Sequence, residues 1–465
     1  MKNLKYLNVS QNSIKQIPDW MGSLTGISFL DISFNAHLMR LTSSITFLNV
    51  ETFLCVNCYN LIEPPYAVCQ GGFREIRQYY KDLDEGKDTM TLATVALIGR
   101  KEAGKSTLLR SMKNGFTAFQ SGDENASKTK VFEVHNIFLQ EKQRQCQVNV
   151  IDFGGDEVYH YAYQLTFQKD CIPIVVVNMV EYEKLSTDFG RREATRRVAF
   201  DWLSHFLTIA HGINQPCFIF THCDEYHGNE GTFKKLEAEF QESMAELSNE
   251  LIKDTAKDGY SLSANLTGNK FICIGKQRAD GDYGTELSKL RTLVLDSVKR
   301  SECEVPTRWT EVINEDIRGN STSSCLRFMK LAAKHQQSML QAVLGFMVRA
   351  GQILWYPNKE KLILSQCERL LSDVIFHRIE VVAQLIGGLY DHKKHSMSSD
   401  IVMGRTNSQS REDGEWCNGI IPQDDLKTNF DRVPFDISEA LLIKFKLLFG
   451  PTSINGSKEC YLLPY

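Results

Sequence analysis

Eight consecutive residues carry the densest chemistry in this 465-residue chain: Gly99, Arg100, Lys101, Glu102, Ala103, Gly104, Lys105 and Ser106 fit the pattern GxxxxGK[ST]. An apolar run precedes them and a helical pattern begins near Lys105. In that strand-loop-helix setting, backbone N–H groups wrap phosphates and the helix N-terminus adds its positive dipole end. Lys105 would reach the β- and γ-phosphates and Ser106 would ligate Mg²⁺, with Thr107 counted in the same nucleotide-binding set. Farther along, Asp152-Phe153-Gly154-Gly155 closes another apolar strand. A carboxylate there can serve Mg²⁺, and Gly155 allows its backbone N–H close to a γ-phosphate. Lys105 and Gly155 are therefore the candidate catalytic groups, with Asp156 next in line. Thr129 is a second candidate hydroxyl ligand for Mg²⁺; an ordinary loop threonine beside a strand is the competing reading. Thr221-His222-Cys223-Asp224 follows a later strand. An ionised Asp only accepts hydrogen bonds and can take two, from guanine N1–H and N2–H₂, a donor pair that adenine lacks. The motif favours GTP and GDP over ATP; an N-cap for the next helix is the plainer alternative.

The elements that must position these groups are legible around them. From residue 91 to about 302, apolar strands alternate with helices, predicting an α/β domain with a six-stranded, mainly parallel sheet and helices on both faces. Candidate strands are Leu92 to Ile98, Val131 to Leu139, Val148 to Asp152, Ile172 to Val177, Cys217 to Phe220 and Phe271 to Ile274. The polar Glu141-Lys-Gln-Arg144 between the second and third suits an antiparallel hairpin. Phe233, Leu236, Phe240, Met244, Leu247 and Leu251 recur in steps of three and four, an amphipathic helix.

The first 70 residues repeat. Leu7, Leu30 and Leu54 head three similar segments at spacings of 23 and 24, within the range of leucine-rich repeats. Such units bury their apolar faces only by stacking, so 1–70 reads as the C-terminal end of a longer solenoid. Residues 71–90 read as a capping helix, with Phe73, Ile76 and Tyr80 on one face, and a linker. Residues 303–465 read as a mostly helical region with aromatic-rich strands, a mobile loop at 391–428, a helix from Ala440 to Phe449 and a further element from Cys460. The length suggests three domains, each burying its own core.

Composition excludes several classes. With 53 Lys+Arg against 57 Asp+Glu, the chain lacks the basic excess that nucleic acid or acidic membranes demand. No apolar run is long enough to cross a bilayer, and the N-terminus has no signal-peptide core, which reads as cytoplasmic. The 13 Cys fit reduced thiols. Cys55 and Cys58 could be half of a zinc site, but no matching second pair follows, and buried thiols are the favoured reading.

Together these motifs resemble the Roco family, multidomain G proteins with a Roc GTPase followed by a COR domain. Asp152-Phe-Gly-Gly-Asp-Glu-Val-Tyr-His160 resembles the family's DFGGQExxH, and Thr221-His-Cys-Asp224 its THxD. Pro64-Pro65 to Tyr80 is similar to the junction of repeats and Roc. Gly351-Gln-Ile-Leu-Trp355-Tyr356 resembles the COR segment GxIxWF, and Tyr461-Leu-Leu-Pro464 its YLxP. No HRD, DFG or second nucleotide motif is present, as in kinase-less members. The resemblance implies a GTP-regulated scaffold with GTP/GDP and Mg²⁺ as cofactors, a winged-helix-like part in COR, a homodimer through COR and protein partners on the repeats. Two departures stand out. The switch pattern TxGIxV appears as Thr129-Lys-Val-Phe-Glu-Val134, without its Gly. Asp156 replaces the Gln that orients the attacking water; a carboxylate cannot donate an amide hydrogen bond and would repel the γ-phosphate, predicting slow hydrolysis. Arg191, Arg192, Arg196 and Arg197 read as a solvated helix face, with an arginine finger as the alternative.

Overall fold

Alternation along the strands decides where the central sheet sits. The structure, a computed structural model, describes residues 3–58, 60–91, 93–116, 129, 131–141, 144–155, 171–209, 216–226, 228–257, 270–273, 284–320, 323–357, 366–389, 420–429, 433–454 and 458–462. In chain order the strands are β1 (Tyr6–Asn8), β2 (Phe29–Asp31), β3 (Thr52–Leu54), β4 (Lys87–Thr91), β5 (Thr94–Ile98), β6 (Phe132–Glu141), β7 (Arg144–Phe153), β8 (Cys171–Asn178), β9 (Cys217–Thr221) and β10 (Lys270–Cys273). Six of them form one sheet in the order β10-β9-β8-β5-β7-β6, parallel except for the β6/β7 hairpin. This is the sheet expected from the sequence.

Val95 and Leu97 of β5 pack into one core, while Ala96 and Ile98 pack into another, because successive side chains leave opposite faces of a strand. The first core is closed by the helix Gly284–Ser301 and by Leu108, Leu109 and Met112 of the helix that opens at Lys105. The second takes Tyr182, Trp202, Phe233 and Phe240. The amphipathic helix predicted around Phe240 spans Glu230–Lys257, and its stripe faces this core. Burial on both faces explains why these strands read as near-continuous apolar runs.

The N-terminal strands are parallel in single register: Tyr6 pairs with Phe29 and Phe29 with Thr52, 23 residues apart each time. Leu30 therefore stands opposite Phe53, and Leu54 opposite Asp31. The sequence had aligned Leu54 with Leu30. A slip of one residue reverses the face, and Leu54 accordingly lies on the exposed side. The turns after the strands carry a ladder at the same interval, namely Asn12, Asn35 and Cys58. Asn35 is fully buried; its Nδ2 donates to the carbonyls of Ile32 and Val9, and its Oδ1 accepts from Ile14 N–H. Cys58 holds the third rung by donating its thiol to Ile32 O at 3.1 Å, which accounts for one member of the close cysteine pair. Replacing Asn35 by Ala leaves Ile14 N–H without its partner and takes one of two donors from each of Val9 O and Ile32 O, so thermal or urea unfolding is expected to show a loss of about 2 kcal/mol; a change below about 0.5 kcal/mol would count against the ladder.

α1 (Tyr66–Gln70) and α2 (Phe73–Glu85) follow, and α2 buries Phe73, Ile76, Tyr79, Tyr80 and Leu83. The 71–90 segment is not only a helix and linker, because β4 pairs antiparallel with β11 (Glu302–Pro306). The proposed boundaries near 91 and 302 are thus stitched together as a ribbon. Nor does each segment bury its own core. One cluster joins Ile27, Leu30 and Ile45 of the repeats to Trp309 and Phe346; another runs from the central sheet to Phe376 and Leu441. A direct polar tie crosses the second boundary, where Thr94 Oγ1 (2.8 Å) and Asn149 Nδ2 (3.1 Å) both donate to Ala350 O.

Two expectations at the C-terminus are corrected. The helix expected over 440–449 runs instead over Phe435–Lys444. Lys446 adopts φ 57°, and Pro451 denies the next turn its N–H donor, so the apolar run continues as the strand Phe449–Ile454. The expected loop 391–428 ends early: Ile420–Pro422 pairs with the strand Lys458–Leu462, and the helix Gln423–Asn429 buries Leu426. Residues 391–419 lie outside the described residues. Among the described residues, no helix is long and apolar enough to cross a membrane.

Candidate functional site

The GxxxxGK[ST] loop leaves β5 and enters α3 (Lys105–Lys113), as its chemistry requires. Two glycines make the path possible. Gly99 has φ 135°, and a Cβ on it would run into Val176 O of the neighbouring strand; Gly104 has φ 98° at the helix N-cap. Glu102 also lies in the left-handed region, at φ 63°. Lys101 and Glu102 are exposed, Ala103 is buried, and Arg100 is ion-paired with Glu181 at 2.7 Å. Lys105 is only 6% exposed, and its Nζ donates to Gly99 O and Arg100 O, both at 2.7 Å. The ammonium is thus held on the inner side of the loop by the carbonyls it curls around. Thr107 Oγ1 accepts from Arg110 rather than opening into the loop.

Asp152, near the end of β7, gathers the hydroxyls. Its Oδ2 accepts from Ser106 at 2.7 Å and from Thr129 at 3.3 Å, and those two hydroxyls are 3.5 Å apart. Three residues spread over 46 positions therefore present oxygens at one point below the loop. Asp152 Oδ1 is buried without a hydrogen-bond partner. Burial pushes the Asp152 carboxyl up from the ordinary carboxylate value, against the Ser106 hydrogen bond and the Lys105 charge, which pull it down. An oxygen-only donor set with an orphaned carboxylate oxygen fits a hard divalent cation such as Mg²⁺.

This burial has a measurable consequence. Because the folded ligand-free protein holds the Asp152 proton more tightly than the unfolded chain, its stability falls as pH rises from the ordinary Asp value through the raised one. Asp152→Asn removes that cost. The nucleotide-free variant should melt higher at pH 7, and added Mg²⁺ with nucleotide should no longer raise its melting temperature. An unchanged or lower melting temperature for the free variant would show that the carboxylate is not ionised at a cost.

Gly155 is packed against the loop: its carbonyl accepts from Lys101 N–H at 3.1 Å, and a Cβ at this position would overlap Lys101 N and the Arg100 carbonyl carbon. Gly154 N–H donates to Val131 O, tying this turn to the segment after Thr129. Asp156 and His160 lie outside the described residues, so their arrangement enters none of these statements.

The base motif is held to the same loop. Thr221 is 4% exposed, and its hydroxyl donates to Ala103 O at 2.7 Å with Val177 O at 3.2 Å. It therefore positions the loop, a role that sequence reasoning did not separate from base contact. His222 takes φ 57° and is exposed. The turn Cys223–Tyr226 is pinned by buried Cys223 and Tyr226, the latter's hydroxyl lying 3.2 Å from Met179 O and 2.7 Å from Glu183 Oε2. Between these anchors Asp224 points its carboxylate outward, exposed. Glu181, which pairs with Arg100 of the loop, and Tyr226 are participants that the motifs did not reveal, because their partners come from other elements. The four arginines at 191–197 are spoken for: Arg191 pairs with Glu242, Arg192 with Glu246 and Glu250, and Arg196 and Arg197 with Glu193. They form the solvated ion-paired face, and none is directed into the site as a finger.

Comparison with known proteins agrees with this geometry. Residues 94–224 match the family model described as Ras of Complex, Roc, domain of DAPkinase. The chain is 32% identical over 123 residues to the malignant fibrous histiocytoma-amplified sequence 1 homolog of Xenopus tropicalis, and 24% identical over 179 residues to the probable serine/threonine-protein kinase pats1 of Dictyostelium discoideum. Those matches cover 26% and 35% of this chain, but only 12% and 6% of the respective relatives. The fold is similar to that of Methanosarcina barkeri Roco2 RocCORdC bound to GDP, with a TM-score of 0.50 at 17% identity, over 82% of this chain and 97% of the other. A P-loop, an Asp152 turn and a THxD turn joined on one sheet, and a family match across all three, lead to one conclusion: residues 94–224 match the Roc domain family, within a chain whose fold is similar to that of a Roco RocCOR protein.

Proposed function

We propose that this chain binds GTP and GDP with Mg²⁺, hydrolyses GTP slowly to GDP and phosphate, and acts as a nucleotide-regulated signalling scaffold in the cytoplasm. The observation that carries the reading is the meeting of Ser106, Thr129 and Asp152 oxygens beneath a loop that is itself tied, through Thr221 and Ala103, to the turn bearing Asp224. In this reading Asp224 selects guanine. The loop N–H groups, Gly155 N–H and Lys105 hold the phosphates, and Ser106, Thr129 and Asp152 hold Mg²⁺. The cation would neutralise charge on the phosphate oxygens.

For Lys105, binding means exchanging the Gly99 and Arg100 carbonyls for phosphate oxygens, a stronger charge-assisted pairing. Water would attack the γ-phosphorus in line and break its bond to the bridging oxygen, with the chain supplying orientation and positive charge. Asp156, in place of an amide, supplies neither a donor nor a favourable charge, so turnover is slow. The repeats serve as the surface for a protein partner, and the region after residue 303, COR-like in its fold, as the site of homodimer formation.

Single-turnover hydrolysis of γ-labelled GTP, run across protein concentrations that span dimer formation, tests the enzymatic part. Slow phosphate release that disappears in Lys105→Ala supports it. Tight guanine-selective binding with no release at any concentration would leave the alternative, an interaction scaffold whose nucleotide is purely structural.

A further inference from the structure

Two thiols stand beside the base turn with no part in nucleotide chemistry. Cys223, the residue before Asp224, is 5% exposed and lies 3.3 Å from Phe220 O. Cys273 ends β10, where its register partner on β9 is Phe220; it is half-buried, with Sγ 3.8 Å from Glu237 Oε1. One thiol thus sits against the Phe220 carbonyl and the other faces Phe220 across the ladder, which brings a turn residue and a strand-end residue, both cysteines, to one place beside the Asp224 turn. A second group of thiols, Cys55, Cys58 and Cys69, is buried throughout, and none of the three offers an oxidant an approach.

We propose that Cys223 and Cys273 form a reversible disulfide, driven by a hydroperoxide, that loosens guanine-nucleotide binding. Cys273, the accessible member, attacks first. Its sulfur takes one peroxide oxygen, the O–O bond breaks, and the alcohol leaves with the thiol proton, giving a sulfenic acid. Cys223 then attacks that sulfur and displaces the hydroxyl as water, its own proton going with it. Two thiols and one hydroperoxide thus yield one disulfide, one alcohol and one water. The Cys273 thiol and burial push the Cys223 thiol up, which suits the resolving member better than the initiating one. An S–S bond of about 2.05 Å is far shorter than a thiol contact. Closing it draws Cys223 towards β10 while Tyr226 stays fixed on Met179 and Glu183, so Asp224 between them is displaced.

The affinity effect rests on the guanine-nucleotide reading, whereas bond formation does not, and the experiment reads the two separately. Full-length protein loaded with labelled GDP is treated with hydrogen peroxide, mapped by mass spectrometry without reduction, and assayed for GDP release, alongside C273S and C273A of confirmed melting temperature. The expected result is a Cys223–Cys273 linked peptide with release about ten-fold faster, reversed by dithiothreitol, while both variants release GDP at the untreated rate whether or not peroxide is added. Absence of the linked peptide overturns the proposal, as does a linked peptide with release changed by less than about two-fold. A chain that takes up no GDP yet yields the linked peptide overturns the nucleotide reading and the regulation together, leaving the bond itself established.

Discussion

Asp224→Ala is expected to weaken GTP and GDP binding by about 10²–10⁴-fold, while ATP binding stays as weak as before. The size follows from two charge-assisted hydrogen bonds to the guanine edge at roughly 1.5–3 kcal/mol each, with each 1.4 kcal/mol worth about ten-fold in affinity. Asp224 is exposed, and the fold of its turn depends on buried Cys223 and Tyr226 instead. Truncation should therefore move the unfolding free energy by no more than about 0.5 kcal/mol. Titration of labelled GTP, GDP and ATP against both proteins, with a melting curve for each, makes the comparison. Equal GDP affinity in the two would mean that Asp224 does not read the base, and the helix-capping alternative would take over.

The second large effect is at Gly155. A methyl group there overlaps the Lys101 nitrogen and the Arg100 carbonyl carbon, which are backbone atoms of the phosphate loop and cannot rotate away as a side chain would. Gly155→Ala must push the two turns apart, break the Lys101 N–H hydrogen bond to Gly155 O and spread the cradle. Overpacking of this kind costs about 1–3 kcal/mol in stability. Nucleotide affinity should fall further, by about 10²-fold, because the donors no longer converge. Gly231→Ala is the matched control. It lies in the first turn of the Glu230–Lys257 helix, where an added Cβ meets nothing within 4 Å, so it should be neutral or slightly stabilising. If Gly155→Ala binds GDP as wild type does, the close approach of the two turns has no bearing on phosphate binding.

Most of the site's parts were legible as local patterns. The loop from Gly99 to Ser106 needs a strand before it and a helix after it, and both are written in adjacent residues. The hairpin of β6 and β7 and the stripe on the Glu230–Lys257 helix are likewise periodicities within a single stretch of chain. Misreadings arose where two residues compete over distance. Leu54 looked like the partner of Leu30 because leucine suits the position, but backbone register across the parallel strands put Phe53 there. The run from Ala440 to Phe449 is apolar enough for a helix, and only the left-handed Lys446 and the pairing of Phe449–Ile454 with Lys458–Leu462 show where it turns. Thr129 had an ordinary reading of equal standing until the fold carried it to Asp152.

The sequence by itself determined which chemistry the chain can attempt, because phosphate-loop, carboxylate and base motifs depend on residue type at short spacing, and short spacing fixes local geometry. It also determined the order and type of the sheet's elements, since hydrophobic alternation is a local property. Only the tertiary structure decided that Ser106, Thr129 and Asp152 share one point, that Thr221 serves the loop more than the base, and that the repeats and the C-terminal helices complete one another's cores. These are contacts between residues tens to hundreds of positions apart. They are selected by the burial of whole faces and by the need to satisfy every polar group left inside, and no local stretch of sequence contains that sum.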